Sequence, residues 1–213
     1  MKRTSNAARK RSNNIPSSRA RSTNKSRRAQ PSRAKSNSRA LNQEWFKDFL
    51  CEMHAVELGG VKLYEKAAEE LTHDKYRAQI EKFLEQTRRH VELCQEMMEA
   101  ASIPDGDGSP GAEAAQHKAE GLLSTQVPEH LLDLNNFENL VLAETKDHWN
   151  WEMLATVAGE IDDTSLKRLV GRAVREVRKQ EADHLARMQR ALTEIAAELA
   201  HQTMDGSGSE ETD

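Results

Sequence analysis

The chain is poor in aromatics (4%), has two cysteines among 213 residues, and contains no long apolar run. Each scarcity excludes something. So few aromatics beside 31% charged residues argue against a β-sandwich and for helices. Two cysteines, Cys51 and Cys94, both inside helical patterns, do not make a disulfide framework and fit reduced intracellular thiols. No stretch approaches the roughly 18 apolar residues of a membrane span. The basic N-terminus lacks an apolar core, which argues against a secretory signal. The expected location is cytoplasmic. An Arg- and Ser-rich organellar transit peptide is the alternative, and the near absence of large apolar residues before Leu41, apart from Ile15, weighs against it.

Acidic residues are also missing from one region. Residues 1–40 hold 13 of the 31 lysines and arginines and no Asp or Glu. The other 18 basic residues face all 35 acidic ones, so residues 41–213 carry a net charge of −17. The arm is mostly Ser, Asn, Ala, Arg and Lys, too polar to offset the entropy of ordering, and is expected to be disordered. Two partners suit it. One is DNA or RNA, held through phosphates without sequence preference, with no aromatic residue available for base stacking. The other is an acidic protein surface, the chain's own body included; with neither, the arm merely keeps the chain soluble.

Four long helical patterns follow. The first covers about 42–71, with a seam of Phe46, Leu50, Met53, Glu57, Gly60, Tyr64, Ala67 and Leu71. The second covers about 74–101, its seam including Ile80, Phe83, Thr87, His90, Cys94 and Met97. Spacings of three and four mark helices that pack in a bundle. Pro104 to Gly111 reads as a loop, and Ala112–Leu123 forms a short helix if Gly111 rather than Gly121 marks a boundary. The third pattern covers about 128–161 through Leu134, Phe137, Val141, Glu144, His148 and Trp151. The fourth covers about 165–201 through Val170, Val177, Glu181, His184, Met188 and Ile195. The expected organisation is a basic arm (1–40), an all-α body (41–203) and an acidic disordered tail (204–213). The body is two antiparallel hairpins joined by a long crossover.

The seams carry residues that apolar cores avoid. Glu181-Ala-Asp-His184 places a carboxylate and an imidazole on one helical face. In antiparallel hairpins, residues equidistant from the turn share a height, so Glu57 faces His90 and Glu144 faces the Glu181–His184 pair. A lone seam His or Glu is ordinarily a hydrogen-bonded core residue. Five at matched heights ask for a cation, the alternative being Glu–His pairs that satisfy one another without metal. Tyr64 and Trp151 are expected to pack, and Cys94 to be an inert thiol.

This arrangement resembles the ferritin-like superfamily, with rubrerythrin and bacterioferritin as reference members. The likeness covers about 41–201 and rests on topology and five positions. It implies a four-helix bundle with a di-iron carboxylate centre: one Glu from each of two helices and a Glu-x-x-His from each of the other two. The implied ligands are Glu57, His90, Glu144, Glu181 and His184, with His54 and His148 as lesser candidates. The implied cofactor is Fe, one or two ions per chain, or Mn. The implied role is oxidase-type or stress-protective, and a homo-oligomer is compatible with it. One position departs: Thr87 stands where the second Glu-x-x-His needs Glu. An asymmetric dinuclear site, a mononuclear site on the third and fourth helices, and a degenerate bundle without metal all remain open. In the last case the chain is a non-enzymatic interaction module that binds nucleic acid through its arm.

Overall fold

In a computed structural model the described residues are 40–104 and 108–201. The acidic tail and all of the basic arm before Ala40 lie outside them. Every regular element among the described residues is helical. None of these helices is long and apolar enough to cross a membrane.

Helix α1, Gln43–Glu70, begins where the Asn42 side chain accepts hydrogen bonds from the backbone N–H of Glu44 and Trp45. It ends at Leu71 in extended backbone. A single 3₁₀ turn then leads into α2, Arg77–Ala100. The turn is tied down by buried Asp133, which accepts from Thr72 N–H at 3.0 Å, Thr72 Oγ1 at 2.6 Å and His73 N–H at 2.9 Å. Helix α2 closes in a Schellman motif: Ser102 N–H bonds Glu99 O and Ile103 N–H bonds Met98 O. Ser102 sits there at φ 55°, in the left-handed region.

The crossover is itself helical. Helix α3, Pro110–Ser124, starts from Ser109, whose hydroxyl accepts from Ala112 N–H, with proline in its first turn. It is longer than the sequence pattern indicates and packs on α1. A Cβ on Gly59 would meet Ala119 Cβ at 2.9 Å, so the α1–α3 approach requires glycine there. Helices α4, Leu132–Val157, and α5, Thr164–His201, complete the body.

Helix α1 packs on α2 and α4, and α5 packs on the same two. The pairs Glu57–His90 with Glu65–Arg88, Glu57–Trp151 with Tyr64–Glu144, Gln86–His184 with His90–Gln180, and Glu144–His184 with Glu152–Arg178 show that each neighbour runs antiparallel to the next. Two apolar clusters fill the interior. One holds Leu50, Met53, Met97, Trp151, Leu154 and Val170; the other holds Tyr64, Ile80, Phe83, Phe137, Met188 and Ile195. Along every one of these four helices, the polar positions Glu57, Thr87, His90, Glu144, Asp147, Glu181 and His184 fall between the two clusters. They are all buried.

Candidate metal centre

Four helices each bring chemistry to this layer. Helix α1 supplies Glu57, α2 His90, α4 Glu144 and Asp147, and α5 Glu181 and His184. The i, i+3 spacing of the last two pairs keeps both members on one helical face. His90 Nδ1 lies 3.0 Å from Glu181 Oε1 and 3.6 Å from Glu57 Oε2. His184 Nδ1 lies 3.4 Å from both Glu144 Oε2 and Glu181 Oε1. Donor atoms of Glu57, His90, Asp147 and Glu181 all fall within 4.8 Å of one another, and so do those of Glu144, Glu181 and His184. Glu181 belongs to both groups.

The outward atoms of these side chains are satisfied. Trp151 Nε1–H donates to Glu57 Oε1 at 2.7 Å, and Tyr64 O–H donates to Glu144 Oε1 at 2.6 Å. His90 Nε2 meets Gln180 Oε1 at 2.7 Å, and His184 Nε2 meets Gln86 Oε1 at 3.0 Å. A carboxamide oxygen only accepts, so each Nε2 carries a proton, and each ring would turn an Nδ1 lone pair toward a cation bound at the centre.

The inward atoms are not satisfied. Glu57 Oε2, His90 Nδ1, Glu144 Oε2, Asp147 Oδ1, both Glu181 oxygens and His184 Nδ1 are buried without a hydrogen-bond partner. Leaving one such atom unpaired costs about 1–3 kcal/mol. Seven converging on one space need a common partner, and a cation is the one that suits carboxylate and imidazole lone pairs together. These groups are positioned to hold a metal ion.

Without a cation, protons take that role. Burial pushes the Glu181 carboxyl well above its usual range, and neighbouring Glu144 and Glu57 add to the push against the opposing pull of His90. Burial, then Glu181, Glu57 and Glu144, does the same to Asp147. Burial alone would depress His90, but Glu57 and Glu181 outweigh it and hold the imidazole well above its ordinary value. Burial and then Glu144 raise the Tyr64 phenol, keeping it a donor.

No family model, no curated protein and no solved structure matches this chain. The reading of the centre therefore rests on its own geometry.

That geometry gathers the five side chains singled out by the sequence and leaves out the two lesser candidates. His54 is half-buried on the side of α1 that meets α3, beside Cys51, Leu58, Met98 and Ala112. His148 turns toward Trp149, their ring centroids 6.1 Å apart. Neither belongs to a donor group. Cys94 also stands outside both groups, its thiol held protonated by burial and by the nearby carboxylates Glu57, Asp147 and Glu181.

The sequence pattern missed Asp147. The signal was present as Glu144-x-x-Asp147, the same i, i+3 spacing as Glu181-x-x-His184. The apolar seam of the sequence runs through His148 at i+4 instead. Asp147 also bears on the Thr87 departure. Thr87 Oγ1 donates to Phe83 O at 2.9 Å within its own helix, so its hydroxyl is already engaged. The carboxylate absent from position 87 is matched by one at 147. The layer holds four carboxylates and two imidazoles, the same inventory as two Glu plus two Glu-x-x-His pairs.

Proposed function

We propose that this chain is a ferritin-like protein with a carboxylate-bridged dinuclear metal centre, taking two Fe(II) or two Mn(II) ions. Glu57, His90 and Asp147 would hold one ion and Glu144 and His184 the other, with Glu181 belonging to both donor groups. The observation that carries this reading is Glu181 itself: buried, shared by both donor groups, with neither oxygen hydrogen-bonded. Charge supports two ions rather than one. Four carboxylates and two neutral imidazoles balance two divalent cations, whereas one cation would leave two buried negative charges to be protonated. Mixed oxygen and nitrogen donors suit iron and manganese better than soft-metal chemistry.

Bound Fe or Mn would supply one-electron chemistry toward O2 or peroxide, which fits an oxidase-type or stress-protective role. The chain's own residues do the rest. Tyr64 and Trp151 orient the two terminal glutamates, and Gln86 and Gln180 fix the histidine tautomers. The apolar clusters above and below exclude water. The test is thermal melting under anaerobic conditions. Fe(II) should raise the Tm of the wild type and leave the Tm of Glu181→Gln nearly unchanged; no shift in the wild type would dismiss the reading.

A second reading concerns the arm. The 13 positive charges in residues 1–40, with no acidic residue among them, favour sequence-independent contact with DNA or RNA. Retention on nucleic acid should fall steeply with salt and vanish when 1–40 are deleted. Retention that survives the deletion would assign it elsewhere.

A further inference from the structure

A cavity of about 370 Å3 lies between α1, α3 and α4. Its walls are apolar: Val56 and Leu63 from α1, Ala119 and Leu122 from α3, Leu142 and Ala143 from α4. It is within the size range of small-molecule pockets. At roughly 30 Å3 per water-sized group, it holds about a dozen non-hydrogen atoms. Leu142, 58% exposed, stands at its lip.

The polar groups at the rim are cationic or basic. Lys118 makes no ion pair or hydrogen bond among the described residues. Lys146 reaches Glu52 at 2.7 Å and Asn150 at 2.8 Å. His117 Nδ1 bonds Glu113 O at 2.8 Å. Glu52 thus neutralises Lys146, and among the described residues Lys118 is the rim cation left without a partner. An anionic head group at this rim would meet Lys118.

We propose that the groove binds a small amphiphilic carboxylate, its chain of about eight carbons between the helices and its head group at Lys118. The floor is Gly59–Gly60. Gly60 also faces the interior, where a Cβ would come within 3.3 Å of Thr87 Cγ2. The inner end of the chain is thus one residue's thickness from the polar layer. The site stands independently of the metal reading, because neither its walls nor its rim includes a proposed ligand.

The test is calorimetric titration of the full chain, metal-free and metal-loaded, with octanoate and with octylammonium. One octanoate per chain is expected in both states, with octylammonium at least tenfold weaker. Ala143→Leu is the filling variant: Ala143 is a half-buried residue of the groove wall, so the larger side chain takes up groove volume. It should lose octanoate at least tenfold while melting no lower than wild type. Lys118→Glu should weaken octanoate and leave octylammonium unweakened. Absence of saturable binding, several equivalent octanoates per chain, or equal binding by both variants would overturn the proposal.

Discussion

Trp151 on α4 donates its indole N–H to Glu57 on α1 at 2.7 Å. The relationship is reciprocated: Tyr64 on α1 donates to Glu144 on α4 at 2.6 Å. Each aromatic follows a glutamate of its own helix by one heptad and orients the glutamate of the other. Both are fully buried, so neither hydrogen bond competes with water.

Tyr64→Phe keeps the ring and removes the donor. It leaves Glu144 Oε1 without a partner and should weaken metal affinity by about 10- to 100-fold. Competition against a chelator of known affinity measures this. Unchanged affinity would mean that the phenol only packs.

Asp147→Asn and His148→Asn make a paired test of which residue α4 turns inward. Asp147→Asn should lower the metal bound at the Glu57–His90 group and leave the Glu144–His184 group able to bind. His148→Asn should bind as the wild type does. Reversed results would place the i+4 residue, not the i+3 residue, in the centre.

The titrating groups set the pH response of the metal-free protein. Glu181, Asp147 and His90 all have folded values raised well above their ordinary ones. The folded state then binds more protons than the unfolded state, and stability falls as pH rises from the ordinary range of each group through its folded value. Asp133 acts in the opposite sense. Burial alone would raise its carboxyl, but hydrogen bonds from Thr72 and His73 outweigh burial and lower it. Its contribution is present above the ordinary carboxylate range and lost as pH falls through the lowered value. Metal-free protein should therefore melt highest in mild acid. Metal loading should release protons and flatten the alkaline limb. Urea midpoints across pH, with and without Mn(II), check both limbs. An alkaline limb equally steep in the loaded protein would contradict the assignment.

Ser102 is a separate target. It occupies the left-handed position of the α2 Schellman motif, where glycine avoids a steric cost of roughly 1–2 kcal/mol. Ser102→Gly should raise stability by up to about 1 kcal/mol after its greater unfolded-state entropy is subtracted. Chemical denaturation measures it. A loss of stability would mean that the serine side chain contributes more than the backbone strain it causes.

Much of the helical body was legible because its seams repeat at three and four. Glu57, His90, Glu144, Glu181 and His184 stood out as polar residues at positions that otherwise hold Leu, Val or Met. Asp147 did not, since a helix of 3.6 residues per turn brings both i+3 and i+4 near the same face. The rotation of α4 against α1 and α5 decides between Asp147 and His148, and that rotation is a tertiary property. Helix α3 was harder to see because Gly111 and Gly121 weaken its pattern, although Ser109-Pro110 carried the start signal. The heptad echo of Tyr64 and Trp151 was visible, but their hydrogen bonds across the α1–α4 interface required the packing.

Metal content per chain after anaerobic loading with Fe(II) tests the central claim most directly. The account predicts two ions per chain in the wild type, and a centre that holds neither firmly in Glu181→Ala. A wild type that binds no iron under these conditions would contradict it, and would make the buried carboxylates and imidazoles a metal-free polar network.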